Sequence, residues 1–398
     1  MLRLPTENTL DREETIMAEW LKTALIDIVE LIGGGTPKTS KAEYWGGNIN
    51  WLSVKDFNNE NRYVYSTEKT ITEEGLNNSS TKLLRKDDII ISARGTVGEL
   101  AMIPFPMAFN QSCYGIRAKE GIDSIFLYYL IKNSVRKLKA ITHGSVFDTI
   151  TRDTFANIEV AIPDIKTQHR IAKMLADIDD KVENNQRINN NLEQQAQAIF
   201  KSWFIDFEPF SNRKPSDWSL STLGNVSIMG AGGDKPQNVS PIKTDLYEYP
   251  IYSNGLSNEG LYGFTDKPKI SEESVTVSAR GTIGFVCLRH IPYVPIVRLV
   301  TLIPKTEIVS AKYLYLWLKQ LHITGTGTTQ QQLTVPDFQK TEILVPSQKI
   351  VTLFTATVEP IFEKIWANQN ENEKLSSLRD TLLPKLMSGE LDVSDIDL

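Results

Sequence analysis

Residues 171–203 read IAKMLADIDDKVENNQRINNNLEQQAQAIFKSW, and residues 354–386 read FTATVEPIFEKIWANQNENEKLSSLRDTLLPKL. In each stretch one set of positions, mostly apolar, recurs at alternating intervals of four and three residues, which is typical of a coiled-coil helix. The second series stands 183 positions after the first, and both carry two asparagines near the middle. The pattern therefore predicts two matched long helices. Their seam positions are Ile171, Leu175, Ile178, Val182, Asn185, Asn189, Leu192, Ala196, Ile199 and Trp203 in the first, and Phe354, Val358, Ile361, Ile365, Asn368, Asn372, Leu375, Arg379, Leu382 and Leu386 in the second.

Two matched helices in one chain are expected to pack on each other. Polar residues at seam positions cost stability and fix the register of the pair. An antiparallel pairing would bring Asn185 and Asn189 opposite Asn372 and Asn368, so we interpret these four as register residues. The alternative, in which each helix folds back on its own domain, stays open. At about 1.5 Å per residue the paired helices would form a rod of roughly 55 Å.

The rest of the chain is also duplicated. Residues 92–98 read SARGTVG and residues 278–284 read SARGTIG, while FLYYLIK at 126–132 matches YLYLWLK at 313–319. The matched pairs lie 183 to 198 positions apart. A solenoid would repeat every 20–50 residues, so one long unit has been copied once.

Each copy has the same internal order. Short β-rich runs and turn signals come first, then the aromatic segment, which predicts a buried helix, then a strand that ends at a proline, and then the heptads. This order predicts an α+β fold, with two similar globular α/β domains separated by two long antiparallel coiled-coil helices in pseudo-two-fold symmetry. The predicted segments are 1–162 (first domain), 163–208 (first long helix), 209–346 (second domain) and 347–398 (second long helix and tail).

The net charge of −6 is unevenly distributed. Residues 22–162 carry a net +1 and residues 209–346 a net +2, so the acidic excess lies in residues 1–21, 163–208 and 347–398. Each domain could therefore present a face to DNA. The chain has two cysteines, 174 positions apart, and neither a secretory signal nor an apolar run that could span a membrane. These features predict a cytoplasmic protein without membrane association.

Two similar domains held at a fixed distance suit a target with two half-sites, and one turn of B-DNA measures about 34–36 Å. The 55 Å rod would limit the separation of the half-site centres to roughly 16 base pairs. Because the domains differ in sequence, their half-sites should differ as well. The sequence thus predicts an asymmetric, bipartite recognition sequence with an unread gap.

With these features the chain resembles the specificity subunits of type I restriction–modification systems. The resemblance covers nearly the whole chain and rests on both SARGT units, on DIDDKVENNQRINNNLEQQAQAIFKSWFIDFEPF at 177–210 and on LRDTLLPKLMSGEL at 378–391. It implies that the two globular domains are target-recognition domains that bind double-stranded DNA. It also implies a non-catalytic subunit whose coiled coil docks two methyltransferase subunits, with motor-nuclease (restriction) subunits joining through the complex. S-adenosylmethionine, ATP and Mg would then be held by partner subunits only, and this chain would hold no cofactor and no metal.

Two other function classes remain as alternatives: a stand-alone DNA-binding nuclease or methyltransferase, and a coiled-coil adaptor that binds proteins. The letters PD at 163–164 and DDK at 179–181 match a nuclease pattern, but Asp179 and Lys181 fall beside seam positions of a helix. We therefore expect them to face outward and not to form a metal site on a sheet. The chain also contains no Pro-Pro dipeptide, and hence no Asp/Asn-Pro-Pro-Tyr motif to hold a flipped adenine.

The candidate DNA-binding residues fall in corresponding turns of the two copies. Arg94 and Arg280 are shared by the copies, so they suit phosphate contact or bracing of the loop better than base reading. Specificity should lie where the copies differ, for example at Trp51–Asp56, and the Asn and Gln side chains suit adenine. The candidates are Thr36, Lys38, Lys41, Ser53, Lys55, Arg94, Thr96, Asn110, Gln111 and Ser112 in the first copy, and Lys235, Tyr252, Ser253, Asn254, Arg280, Thr282, Gln330, Gln331 and Gln332 in the second.

Overall fold

The protein is described by a computed structural model that covers residues 20–59, 61–141, 149–325 and 332–393. These residues form two compact units. Unit 1 contains the described residues up to 186 together with those from 369 onward, and unit 2 contains residues 187–368. Each long helix contributes one half to each unit, so the units cut across the predicted segments, whose limits stay a prediction. Across the described ranges, no helix has the length and apolarity to cross a membrane.

Unit 1 contains two four-stranded sheets, with strand orders β2-β9-β6-β7 and β4-β3-β8-β5, and a separate antiparallel pair, β1-β10. Its neighbouring strands pair antiparallel except β3 and β8, which run parallel. The strands are β1 Leu21–Ala24, β2 Val29–Gly33, β3 Trp45–Leu52, β4 Lys69–Ile71, β5 Leu83–Leu84, β6 Ile89–Ser92, β7 Leu100–Met102, β8 Met107–Phe109, β9 Cys113–Ala118 and β10 Glu159–Ile162.

The helix Ser124–Ile141 carries the aromatic segment of unit 1 and is longer than the sequence predicts. Phe126, Tyr128 and Tyr129 are buried in the main core of the unit, as predicted. We call the part of each unit outside the long helices its module. The core of unit 1 contains residues from the module and from both long helices, so they fold around one apolar interior. The other helices of the module are Val54–Phe57, Glu73–Asn77 and Arg152–Ala156, with 3-10 turns at Leu25–Ile28 and Ala42–Tyr44.

Unit 2 repeats this topology, except that its second sheet has three described strands and not four. Its sheet β12-β18-β15-β16 corresponds to β2-β9-β6-β7, its sheet β14-β13-β17 again contains one parallel pair, and β11 pairs with β19. The duplication predicted from the sequence is therefore confirmed in the topology. The strands are β11 Ser219–Thr222, β12 Ser227–Ala231, β13 Tyr249–Tyr252, β14 Leu261–Thr265, β15 Ser274–Val277, β16 Val286–Arg289, β17 Val294–Pro295, β18 Val300–Pro304 and β19 Glu342–Val345; the helices are Leu223–Val226, Ala311–Gln320 and Val335–Phe338, with 3-10 turns at Glu208–Phe210 and Ser257–Gly260.

The two long helices, Ile165–Phe204 and Gln348–Met387, pack against each other in both units. In unit 1 the Asn185 side-chain amide donates a hydrogen bond of 2.8 Å to Asn372 Oδ1. In unit 2 the Asn368 amide donates one of 2.8 Å to Asn189 Oδ1. Asn185 contacts Asn372 and Asn189 contacts Asn368, so residue numbers rise along one helix while they fall along the other. The pairing is therefore antiparallel. The predicted fold class is thereby confirmed, and the alternative in which each helix packs only on its own domain is excluded.

The expectation that Asp179 faces outward is wrong. Asp179 is 4% exposed and accepts a hydrogen bond of 2.6 Å from the hydroxyl of Tyr129 and one of 2.9 Å from Arg379. The reason is that the aromatic helix of the module covers this side of the long helix, beside the seam. Lys181 is exposed and pairs with Glu371 at 3.3 Å. Since Asp179 is neutralised by a buried arginine, the nuclease reading of this pattern has no support in the geometry.

Candidate nucleic-acid interface

The repeated heptapeptide forms the same turn in both units, between β6 and β7 and between β15 and β16. In unit 1, Ser92 N–H donates to Glu99 O at 2.9 Å and Gly98 N–H donates to Ser92 O at 2.9 Å. In unit 2, Ser278 and Gly284 make the equivalent bonds at 2.9 and 3.0 Å. The turn needs glycines because Gly95, Gly98, Gly281 and Gly284 all have positive φ angles of 68–84°. The repeated sequence therefore encodes a hairpin tip.

Each hairpin tip presents an arginine to solvent. Arg94 and Arg280 are both exposed, and they follow an alanine whose carbonyl is bonded in the same way in both units: Ala93 O accepts from Ile150 N–H and Ala279 O from Leu333 N–H, both at 3.0 Å. The Arg280 guanidinium also donates to Gln332 Oε1 at 3.0 Å. The same hydrogen-bonded turn thus holds an exposed cation at a corresponding place in each module.

In unit 1 the predicted residues of three turns come together beside this hairpin. Ala93 N–H donates to Ser112 O at 2.8 Å, which joins the hairpin to the turn between β8 and β9. Thr36 donates a side-chain hydrogen bond to Gln111, which joins that turn to the Gly-Gly-Gly-Thr segment. Asn110 N–H donates to Leu52 O at 3.0 Å, which brings the segment around Ser53 alongside. The structure therefore gathers most of the unit 1 candidates on one edge, which we call the unit 1 loop edge.

The glycines before Thr36 allow this close packing. Gly35 N–H donates to Phe109 O at 2.9 Å. A Cβ on Gly34 would lie 2.0 Å from Asn110 O, and one on Gly35 would lie 2.3 Å from Thr81 N. Both contacts are with backbone atoms that cannot move aside. The segment is therefore a close backbone crossing and not a phosphate-binding loop.

In unit 2, the equivalent edge is joined by a side chain. The amide of Asn254 donates to Val297 O at 2.6 Å, and its Oδ1 accepts from Ala279 N–H at 2.7 Å. Val297 N–H donates in turn to Gly233 O at 2.9 Å. Asn254 therefore bridges the hairpin and the turn between β17 and β18, and both of its polar atoms are occupied. We call this set of turns the unit 2 loop edge.

The cationic candidates remain accessible on these edges. Lys38, Lys55 and Lys235 are exposed, and Lys235 lies 6.0 Å from the ring centroid of Tyr262. Lys41 is also exposed, and its hydrogen bond to the Tyr44 hydroxyl, at 3.1 Å, raises the pKa of Lys41. All four ammonium groups can neutralise phosphate.

Other candidates have structural partners within their own units. Ser53 N–H and Oγ both donate to Asp56, which caps the short helix after β3. Trp51, in the predicted reading segment Trp51–Asp56, is 7% exposed and donates to Gly35 O at 3.0 Å, so it belongs to the core. Asn110 Oδ1 accepts from Ser112 N–H at 3.0 Å.

Tyr252 and its neighbours in unit 2 are similarly engaged. The Arg289 guanidinium lies 3.6 Å from the centroid of the Tyr252 ring, and burial raises the pKa of this tyrosine, although Arg289 opposes the rise. Ser253 N–H and Oγ donate to Gly260 O at 2.8 and 3.4 Å. Thr282 is half-buried in the hairpin, whereas Thr96 in unit 1 is exposed. Gln330 and Gln331 lie outside the described residues.

Arg298 is a candidate that sequence reasoning missed. It follows Val297 in the turn between β17 and β18, and both residues are exposed and have positive φ angles, 52° for Val297 and 64° for Arg298. This backbone conformation is rare for residues other than glycine and for β-branched residues above all. The turn corresponds to Gln111 and Ser112 of unit 1, which is the one signal that could have indicated it. The two loop edges thus differ at equivalent positions.

Comparisons with known proteins agree with the duplicated architecture. The family model described as "Type I restriction modification DNA specificity domain" matches twice, over residues 17–194 and 215–376. The type I restriction enzyme MjaIX specificity subunit of Methanocaldococcus jannaschii is 30% identical over 422 residues, covering 96% of this chain and 95% of that protein. The type I restriction enzyme HindI specificity subunit of Haemophilus influenzae is 28% identical, covering 68% of this chain and 77% of that protein. A crystal structure of the S subunit of a type I restriction-modification system from M. genitalium has the same fold, with a TM-score of 0.54 at 18% identity, covering 92% of this chain and 96% of that one.

Proposed function

Because the chain belongs to the family of type I restriction–modification DNA specificity proteins, we propose that its two units read the two halves of one DNA sequence. One observation carries this proposal. Each unit presents the same hairpin with an exposed arginine, while the adjoining turn is Gln111-Ser112 in unit 1 and Val297-Arg298 in unit 2. Residues that are identical in the two units are expected to contact the phosphate backbone, which is the same for every DNA sequence. Residues that differ between the units are expected to contact base edges.

The recognition sequence is therefore bipartite and asymmetric. Arg94 and Arg280 contact phosphates and position each module, and the differing turns read bases in the groove. Each long helix has residues in both units, so the helices set the number of unread base pairs between the half-sites. One bidentate contact from an arginine or glutamine side chain to its base would favour the correct base over a wrong one by about 1–3 kcal/mol.

The chain acts as the non-catalytic member of a larger complex. Two methyltransferase subunits dock on the paired long helices, which keep Leu353 and Leu378 exposed at 53% and 47% in this chain. Motor-nuclease (restriction) subunits join through the complex, which methylates adenine at N6 and cleaves unmodified DNA. S-adenosylmethionine, ATP and Mg are held by those partners. The stoichiometry and the cofactor assignment follow from the family resemblance.

A genome-wide map of N6-methyladenine tests the proposal. The map is made in the source organism with the gene intact, with the gene deleted, and with the deletion complemented by the gene. We expect one gapped, asymmetric motif to lose its methylation on deletion and to regain it on complementation. Loss of a continuous motif would contradict the two-module reading, and an unchanged map would contradict the assignment of this chain to methylation in that cell.

A further inference from the structure

In both units the module contacts its long helix at an equivalent position. The contact is a hydrogen bond in unit 1 and a stacked pair of rings in unit 2. Glu183 of the first long helix and Trp366 of the second are equivalent, because they are 183 positions apart like the seam residues. In unit 1, the backbone N–H of Arg62 donates to Glu183 Oε1 at 3.0 Å. In unit 2, the ring of His290 stacks on Trp366 with the centroids 4.1 Å apart and the planes inclined by 16°.

Further contacts strengthen each attachment. In unit 1 the Arg62 guanidinium, 4% exposed, also pairs with Asp180 on the long helix and lies 5.0 Å from the centroid of the Tyr63 ring. Asp180 is itself 59% exposed, so the arginine is the member of the pair that is withdrawn from solvent.

In unit 2 the ammonium group of Lys312 lies 5.2 Å from the Trp366 ring centroid. Lys312 is 3% exposed and pairs with Glu273 of the module at 2.7 Å and with Glu359 of the long helix at 3.0 Å. The module is therefore attached to the second long helix at two places about two turns apart, by a stacked ring at Trp366 and by a buried cation at Glu359.

Both attachments lie at the end of the strand that leaves the arginine hairpin. Met102, the last residue of β7, donates its N–H to Arg62 O at 2.7 Å. His290 directly follows Arg289, the last residue of β16. A strand of three or four residues thus connects each hairpin tip to a fixed point on a long helix. Any tilt of the module at this point would displace Arg94 or Arg280 along the DNA.

We propose that Arg62 and His290 are positioning residues that fix the angle between each module and its long helix, and that this angle sets which gap lengths between half-sites are accepted. The inference deepens the proposed function and rests on it. Neither residue touches DNA. Each acts through the adjoining strand, β7 for Arg62 and β16 for His290, which leads from the hairpin.

The test uses the complete complex in cells that carry a plasmid library of the native motif with gaps one base pair shorter, native and one base pair longer. Arg62→Met keeps most of the side-chain volume and the backbone hydrogen bond to Glu183, and removes the guanidinium group that pairs with Asp180. Lys173→Met is the matched control, since it breaks an exposed ion pair of 2.8 Å on the same helix that does not involve the module. With Arg62→Met we expect the ratio of methylation at off-length gaps to methylation at the native gap to rise about tenfold, with both half-site sequences unchanged and no change for the control.

Unit 2 provides an independent pair of variants. His290→Ala removes the stacked ring and should relax the gap, whereas His290→Phe keeps a ring on Trp366 and should retain the native gap preference. An unchanged gap profile in both Arg62→Met and His290→Ala would overturn the inference, and so would an equal loss at all three gaps, which would assign these residues to stability alone. A wild-type chain that directs no gapped motif would instead overturn the proposed function.

Discussion

Asp179 and Arg379 stand 200 positions apart in the chain and form an ion pair of 2.9 Å inside unit 1. Their side chains are only 5% and 6% exposed. The duplication makes Phe362 and Ala196 the corresponding residues of unit 2, and both lie in its apolar core. The same place in the fold is therefore held by a buried ion pair in one unit and by apolar packing in the other.

This asymmetry predicts a specific pattern of stabilities. Arg379→Ala leaves Asp179 buried without its charge partner and should lower the free energy of unfolding by about 3–5 kcal/mol. The double variant Asp179→Phe/Arg379→Ala copies the unit 2 solution and should lie within about 1 kcal/mol of the wild type, since buried ion pairs are often replaceable by apolar residues. Urea unfolding of the wild type and the two variants measures both differences. A double variant that is as unstable as the single one would show that the pair itself stabilises unit 1.

The two asparagine pairs should lower the stability of the paired long helices and fix their register. Asn368→Leu/Asn372→Leu removes one partner from each of the hydrogen bonds with Asn189 and Asn185 and places leucine at two seam positions. We expect the melting temperature to rise and new oligomers to appear, because apolar seams are more stable but fix register less well. Thermal melting and light scattering after size exclusion measure the two effects. If neither changes, the asparagines do not determine the register.

We expect the stability of unit 2 to fall in acid because of His290, whose neutral ring is favoured in the folded protein. Burial, together with the positive charges of Lys312 and Arg289, lowers the pKa of His290 from 6.5 to about 4. Folding therefore favours the neutral ring, so the contribution is complete above pH 6.5 and is lost as the pH falls from 6.5 towards 4. Its size lies below about 3.5 kcal/mol, because each pKa unit corresponds to about 1.4 kcal/mol and solvent screens a ring that is only partly buried.

His290→Phe keeps the ring and removes the titration. The wild type should therefore lose stability relative to this variant as the pH is lowered through that window, and the carboxyl groups common to both chains cancel in the comparison. Melting temperatures measured from pH 7 to pH 4 give the difference. Parallel profiles for the two chains would contradict the assignment of this contribution to His290.

The hairpin arginines should contribute affinity without sequence preference. Arg94→Ala or Arg280→Ala in the assembled complex should weaken binding to all DNA sequences about equally and reduce the slope of log K against log salt by about one, as expected for one lost phosphate contact. Gln111→Ala is the comparison, since it should change the preferred sequence and leave the salt slope as it was. Binding titrations at several salt concentrations separate the two. A change of preferred sequence with Arg94→Ala would assign that residue to base reading.

Much of the architecture could be predicted because it is encoded in local periodicity and in repetition. The 183-residue offset of the seams is enough to predict two helices, and the asparagines in both are enough to predict an antiparallel pair. The SARGT repeat likewise indicates one turn used twice. The burial of Asp179 was not predictable in this way, because it depends on a module helix that covers the long helix beside its seam.

The site residues were harder to predict for a related reason. Trp51 lies in a β-rich run and Asn254 among turn-forming neighbours, but their hydrogen bonds run to residues 16 and 25 positions away and give them structural roles. Arg298 lies in a turn with no motif of its own, and only the correspondence of that turn with Gln111 and Ser112 of unit 1 indicates its place on the unit 2 loop edge. Contacts made across different turns leave no periodic trace in a single sequence.

If each unit reads its own half of the target, a pair of N6-methyladenine maps shows it most directly. One strain carries Gln111→Ala/Ser112→Ala in unit 1, and the other carries Arg298→Ala in unit 2. We predict that each strain loses stringency in one half of the motif only, that the two strains affect opposite halves, and that the gap stays the same. Changes in the same half in both strains, or in both halves at once, would contradict the claim.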